Sequence, residues 1–230
     1  SMAAQALAQT DEKVIDVAFA YRFNAPETFS RAFRRMFGLQ PRQVKAGGQI
    51  DPRLLMPRFT RPYLEFLSCN LMGSPVRTSL PSLTVAGVAA QIDDDAPGGA
   101  TQGLWALLHR EITAARMMKQ DRKYCAIVIY SPFRPASQRL YLAGTVLQDG
   151  EVAPPTLLLK QLPGKPYACF DLQAGDDDIR HVRRYAYHTW WPKMAASPLP
   201  TIELERWEMD SSRPRSICLP LSVDPSADPA

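Results

Sequence analysis

The sequence lacks any uninterrupted apolar stretch of the roughly 20 residues that a membrane-spanning helix requires. Its start, SMAAQALAQTDEK, has no basic segment followed by an apolar run. A soluble, cytoplasmic chain without a membrane partner is expected. Histidine is scarce: His109, His181 and His188 stand in helix-like segments with no cysteine or acid at ligand spacing, so no metal site is expected. The four cysteines, Cys69, Cys125, Cys169 and Cys218, form no CxxC pair. Three of them lie in apolar strand-like runs, and they read as buried thiols. No GxSxG, GxxxxGK[ST] or GxGxxG run occurs. Enzymes built on those phosphate-binding or nucleophile motifs have no support, and no cofactor is expected.

What is present is 230 residues, 46% of them hydrophobic, enough for one substantial core and a smaller one. The net charge of +4 is unevenly placed: residues 1–62 carry 10 Lys and Arg against 5 Asp and Glu, the remainder 17 against 18. A basic first quarter beside a near-neutral remainder fits a region that meets phosphate. Ser1-Met2 reads as a cloning remnant in front of a helix that begins abruptly, so natural sequence is expected upstream.

Residues 3–45 predict helix, turn, helix. Ala4, Leu7 and Ala8 continue one helical face, and Thr10-Asp11 offers an N-cap for a helix from Lys13 to Tyr21. Asn24-Ala25-Pro26-Glu27 supplies a cap, a proline and an acid at the start of the next helix, from about Pro26 to Phe37. Phe29, Phe33, Met36 and Phe37 form its apolar stripe, Arg31, Arg34 and Arg35 lie on the other side, and Gly38 ends it. The basic side fits a solvated face or one that grips neighbouring phosphates. Residues 46–80 are rich in proline, which excludes long helices and central strands, and read as a linker. Leu54, Leu55, Phe59, Tyr63, Phe66 and Leu67 predict that part of it packs on a domain.

The rest contains a weak duplication. The first pass is a strand (Leu83 to Ile92), Asp93-Asp94-Asp95, a helix (Thr101 to Lys119) and two strands (Tyr124 to Tyr130, Arg139 to Leu147). The second is a strand (Tyr167 to Leu172), Asp176-Asp177-Asp178, a helix (Ile179 to Met194) and two strands (Ile202 to Glu208, Ser216 to Leu221). The acidic triplets suit helix capping better than metal binding. Two such units pairing edge to edge make an α+β domain with one shared antiparallel sheet, helices on one face and a groove on the other. In the strand Ile202-Glu203-Leu204-Glu205-Arg206-Trp207-Glu208, Ile202 and Leu204 point one way and Glu203, Glu205 and Trp207 the other. If the aliphatic pair packs on the helices, the carboxylates and indole line the groove, where they suit a cationic or hydrophobic ligand. A merely solvated strand face is the plainer alternative. Tyr130, Tyr167 and Trp190 are further aromatic candidates for that lining.

Val14 to Lys45 resembles the second helix-turn-helix of AraC-family regulators, matching at Val14, Val17-Ala18, Phe23, Phe29, Arg31, Phe33-Arg34, Gly38 and Pro41. The resemblance implies that Ala25, Glu27 and Thr28 face bases while Arg31, with Arg34 and Arg35, holds the backbone. The family's turn glycine is Arg22 here, its flanking serines are Asn24 and Pro26, and its late tyrosine is Val44. Residues from about Leu80 to Leu221 resemble the GyrI-like effector-binding domain, through the duplicated element order, Trp190-Trp191-Pro192, Glu205-Arg206-Trp207 and Ile217 to Leu221. That resemblance implies a groove glutamate, here Glu205, with Trp190 and Trp207 nearby. The expected layout is a partial helix-turn-helix at 1–45, a linker at 46–80, the effector domain at 81–222 and a disordered tail at 223–230. The function implied is a regulator with DNA and a small-molecule effector as partners; assembly as a homodimer is left open. The alternatives are a small-molecule hydrolase using Glu205 as general base and a protein-binding inhibitor module.

Overall fold

The computed structural model describes residues 1–56, 59–69, 74–93, 99–130, 138–172, 179–194, 199–208 and 214–221. Asp94, Asp95, Asp176, Asp177, Asp178 and the expected tail at 223–230 lie outside the described residues. The chain divides into two compact units, Ser1–Glu65 with Arg184–Lys193, and Phe66–Arg183 with the described residues from Met194 on.

The first unit is built on α1 (Met2–Gln9), α2 (Val14–Ala20), α3 (Pro26–Phe37) and α4 (Pro41–Lys45). Its core gathers Ala4, Leu7, Val17, Ala18, Phe29, Phe33, Phe37 and Val44. The periodic Phe29, Phe33 and Phe37 give α3 its inner face, and with Phe23 before the helix they form a chain of edge-on and tilted ring contacts, centroids 5.1, 5.5 and 4.6 Å apart. Pro26 opens α3 where no N–H is needed, and Gly38, at φ 71°, closes it with its N–H on the Arg34 carbonyl. Thr10 does not cap α2, whose N-cap is Lys13. Its hydroxyl instead donates to the Ala6 carbonyl at 2.8 Å and finishes α1. Arg22, in the turn between α2 and α3, stands at φ 62°, the conformation for which glycine is suited.

The expected linker is more ordered than its prolines predict. It contains a short 3₁₀ turn, Pro52–Leu54, and a nine-residue helix, α5 (Arg61–Cys69). Pro62 falls in the first turn of α5, where its missing N–H costs nothing. Leu54 and Leu55 pack against the first core, and Tyr63 is buried beneath the Arg184 guanidinium, 3.8 Å from its ring centroid.

The second unit is an eight-stranded sheet, antiparallel throughout, with strand order β1-β6-β8-β7-β3-β4-β2-β5. The strands are β1 (Val76–Leu80), β2 (Leu83–Asp93), β3 (Tyr124–Tyr130), β4 (Gln138–Val146), β5 (Leu158–Leu162), β6 (Lys165–Asp171), β7 (Ile202–Trp207) and β8 (Ser216–Pro220). Helix α6 (Gly99–Ala114) follows β2 and α7 (Ile179–Tyr185) follows β6, so both expected repeats are present and meet where β3 pairs with β7. Helix α6 stops before the expected Lys119: Arg116 turns left-handed at φ 54° and Met117 donates back to the Ile112 carbonyl. Helix α7 is likewise shorter than expected, passing into a π turn, Ala186–Trp190, and a 3₁₀ turn, Trp191–Lys193. Pro192 has no N–H with which to carry an α ladder onward.

Strands β1 and β5 were not expected, and they close the fold. Each leads into its own repeat but pairs with the other one: β1 with β6, β5 with β2. Because Pro81-Ser82 and Pro163-Gly164 are the only links between β1 and β2 and between β5 and β6, the exchange draws the two sheet edges together and the sheet curls. The turns touch, with the Ser82 hydroxyl donating to the Leu162 carbonyl at 3.1 Å. One face of the curled sheet buries Val85, Cys125, Ile127, Leu142, Leu162, Tyr167, Leu204 and Cys218 among themselves. The other carries α6, whose Leu104, Leu108 and Ile112 lie on Ala86, Val88, Ala126, Val128 and Ala143. Cys169 and Cys218, expected as thiols, are buried directly opposite each other on β6 and β8 and joined in a disulfide. Cys125 is a buried free thiol, pushed up to about 12 by burial and by the charge of Glu205.

Candidate functional site

Alternation along β7 separates its side chains as the sequence predicts, but the faces are reversed. Leu204 belongs to the core away from the helices. Trp207 packs with the α6 cluster, so by the period-two rule Glu203 and Glu205 share that helix-bearing face. The expected groove side is instead filled, because the curled sheet packs its aliphatic face on itself.

On the helix-bearing face the carboxylates of Glu203 and Glu205 are 0% and 2% exposed. Arg183 of α7 bridges them: Nε donates to Glu203 Oε1 at 2.8 Å and Nη2 donates to Glu205 Oε1. Glu205 Oε2 also accepts the Tyr141 hydroxyl at 2.8 Å and the Trp207 indole N–H at 2.9 Å. Glu203 Oε2 accepts the Tyr130 hydroxyl at 3.3 Å. A further donor stands behind the first set, since the Trp105 indole N–H of α6 reaches Tyr141 Oη at 3.3 Å. Trp105 and Trp207 lie with ring centroids 4.6 Å apart. Residues Trp105, Tyr130 and Trp207 are half-buried, so a partly open aromatic rim surrounds closed carboxylates.

Register explains how β7 and its neighbour make room for this. Ala126 stands directly opposite Glu205, and Val128 opposite Glu203, on β3. Strand β3 lies between β7 and β4, and the Tyr141 hydroxyl of β4 reaches Glu205 across it on the side where Ala126 is small. Burial and the neighbouring Glu203 charge push the Glu205 carboxyl up, with Arg183 pulling the other way. Burial opposes the charge of Arg183, but the two carboxylates outweigh it and hold its pKa well above the ordinary value. Arg139, on the same face of β4 as Tyr141, is penalised by burial and by Arg183 and supported by both glutamates. The assembly therefore presents hydrogen-bond donors to two buried acceptors, a geometry for holding charge.

Of the predicted ligand residues, Glu203, Glu205, Trp207 and Tyr130 are brought together. Tyr167 is not: it is buried in the aliphatic core on the opposite face. Trp190 belongs to the first unit, where its ring meets Trp191 at 5.9 Å. Arg183, Tyr141, Trp105 and Arg139 were missed. Alternation could have found Arg139 and Tyr141, which share a face of β4 with Ala143 and Thr145. Nothing local marks Arg183. Among the described residues no group of three or more His, Cys, Asp or Glu is placed to hold a metal ion, and no helix is long and apolar enough to cross a membrane.

In the first unit, Glu27, Thr28, Arg31, Arg34 and Arg35 are exposed on the outer side of α3, and Ala25, its N-cap, is half-buried. The buried phenylalanine face leaves this side open along its length.

A sequence profile described as an integron-associated effector binding protein matches residues 78–217. The chain belongs to the integron-associated effector binding protein family. Within that family domain lie all eight strands except the first two residues of β1 and the last three of β8. A helix-turn-helix domain profile matches residues 1–47, in agreement with the AraC-type resemblance. The transcriptional regulator Rob of Salmonella typhimurium is 33% identical over 73 residues, which are 30% of this chain and 25% of that protein. The right origin-binding protein of Escherichia coli K12 matches with the same identity and coverage. The chain thus spans about a quarter of the length of these curated relatives. Among solved structures, an integron cassette protein from the mobile metagenome of Vibrio cholerae is similar at 14% identity, covering 64% of this chain and 95% of that one, with a TM-score of 0.44.

Proposed function

We propose that this chain belongs to a ligand-responsive transcription regulator working in the cytoplasm, in which the effector-binding domain senses a small cationic or hydrophobic molecule and alters how the helix-turn-helix engages DNA. The observation that carries this reading is the union, in one chain, of a helix-turn-helix whose basic side is open with an effector-binding fold holding a buried carboxylate pair under half-buried aromatics. On this reading Ala25, Glu27 and Thr28 meet base edges, while Arg31, Arg34 and Arg35 neutralise phosphates. Glu203, Glu205, Trp207 and Tyr130 hold the effector.

Coupling needs an element that both regions bias. Helices α5 and α7 each begin in one unit and end in the other, and neighbouring residues of α7 have separate duties. Arg183 holds the glutamates, and Arg184 covers Tyr63 of α5.

The hydrolytic alternative asks Glu205 to hold a water against a substrate. Its oxygens already accept Arg183, Tyr141 and Trp207, which favours charge recognition over proton transfer. The test is a calorimetric and indole-fluorescence titration with aromatic cations and with neutral aromatics of matched size, on the wild type and Glu205→Gln. Binding that weakens in Glu205→Gln is expected; equal affinity for every probe in both proteins refutes the assignment. For DNA, anisotropy with labelled genomic duplexes should lose affinity uniformly in Arg31→Ala, with a shallower salt dependence.

A further inference from the structure

Arg183 occupies the position that a bound cation would take. Its two donors to Glu203 and Glu205 lie on one edge of a planar guanidinium, so the carboxylates are spaced to receive a pair of N–H groups held side by side. The other groups hydrogen-bonded to the two carboxylates, the Tyr130 and Tyr141 hydroxyls and the Trp207 indole, are donors as well. Arg183 also differs from its surroundings in origin. The glutamates and Trp207 stand on β7 and Tyr141 on β4, the two strands that flank β3 in the sheet, whereas Arg183 arrives on α7, whose regular ladder ends two residues later in a π turn. It is 18% exposed where the carboxylates are closed, so with the half-buried Tyr130 and Trp207 it borders water. The family description, effector binding, supplies the independent reason to look for a guest here.

We infer that the site selects a planar, delocalised cation with two N–H donors on one edge, of the amidinium or guanidinium type, joined to an aromatic body, and that Arg183 is its built-in competitor. This rests on the reading that Glu205 and Trp207 hold the effector. When the guest enters, its N–H pair replaces that of Arg183 on the carboxylates and its ring lies against Trp105 and Trp207; Arg183 passes to solvent. A quaternary ammonium has no N–H. Expelling Arg183 for such an ion would remove two N–H donors from the buried carboxylates and return none, and sites built to hydrogen-bond a group discriminate strongly against analogues that lack it.

The probes are phenylguanidinium and phenyltrimethylammonium, matched in charge and ring, titrated against the whole protein by calorimetry and indole fluorescence. Wild type should bind phenylguanidinium at least about tenfold more tightly. Arg183→Gln and Arg183→Ala should each bind phenylguanidinium about tenfold more tightly than wild type, since the internal competitor is gone. Equal affinity of wild type for the two cations overturns the inference, as does unchanged or weaker phenylguanidinium binding in the Arg183 variants. The wild-type comparison decides even if neither variant folds. Equal binding of both cations that is lost in Glu205→Gln would overturn the selection of N–H donors while leaving the effector site in place.

Discussion

The two repeats of the effector domain have the same element order and opposite content. In the first, α6 lays Leu104, Leu108 and Ile112 on the sheet, one per turn, and buries them there. In the second, the described part of α7 brings one fully buried aliphatic residue, Val182, followed by Arg183, which reaches two glutamates. The strands reflect this: β3 offers Tyr124, Ala126 and Val128 where the paired β7 offers Trp207, Glu205 and Glu203. One half carries a packed apolar core, which is sufficient to hold a sheet. The other spends its central positions on a charged trio, and a buried ion pair is weak evidence for stability. On the proposed reading, the asymmetry places recognition in the half that carries the smaller apolar core, while the other half holds the sheet.

The largest expected effect tests that division directly. Arg183→Ala leaves two buried carboxylates without their guanidinium and should cost about 4 kcal/mol in urea unfolding. Replacing the trio together, as Arg183→Met, Glu203→Leu and Glu205→Leu, should be neutral or stabilising, by as much as a few kcal/mol. A triple variant as unstable as the single one would make the trio a structural necessity and erase the contrast between the halves. Next comes the apolar half. Leu108→Ala should cost about 3 kcal/mol, through lost burial and the cavity left behind, against about 1.5 kcal/mol for Val182→Ala.

The first repeat has an ion pair of its own, and its position sharpens the comparison. Arg122 donates to Thr145 and to both Glu151 oxygens, with the Glu151 side chain 12% exposed at the rim. The hydrogen bonds from Arg122 hold the Glu151 carboxyl at about 2, below its ordinary 4.5. A depressed folded-state pKa gives stability that is present above pH 4.5 and is lost as pH falls toward 2. Glu151→Gln should therefore cost between about 1 and 2 kcal/mol at neutral pH, allowing for solvent screening, and flatten stability across that window. A pH-stability series on both proteins reads this out.

What was legible in the sequence followed from periodicity. Phe29, Phe33 and Phe37 specified α3 and alternation in β7 grouped Glu203, Glu205 and Trp207, while the left-handed turn at Arg22 followed from the family resemblance and not from periodicity. The face to which that group points was not legible, because it depends on the sheet curling, and curling depends on β1 and β5. Strand β1 lay within the segment read as a linker, and β5 in the gap between the two repeats, where no element was expected; prolines flank both, at Pro75 and Pro81 and at Pro155 and Pro163. Yet Leu80-Pro81-Ser82 and Leu162-Pro163-Gly164 are the same turn used twice, a second copy of the duplication just outside the segments first aligned. Arg183 and Tyr167 fail for a different reason: a helix position says nothing of which strand it will meet, and an aromatic in a strand says nothing of its face until a neighbour is fixed.

That repeated turn supplies the smallest expected effect and the finest comparison between the halves. The two turns touch, and they are not interchangeable. Ser82 has a side chain and uses it, donating to the Leu162 carbonyl. Gly164 faces it: a Cβ there would lie 2.9 Å from the Ser82 nitrogen and 3.2 Å from the Pro81 carbonyl carbon, both backbone atoms that cannot swing away. Only one of the two contacting positions has room for a side chain. Gly164→Ala should therefore cost about 1 kcal/mol through local overpacking, and Ser82→Ala somewhat less, through one partly exposed hydrogen bond. Ser82→Gly removes none of the backbone atoms that crowd a side chain at 164, so it should not relieve Gly164→Ser, and the exchange of both should cost about the sum of the two substitutions. Strict additivity of the two substitutions in a double-mutant cycle would mean that the turns close the sheet independently, and that the repeats differ at their edges as they do at their centres.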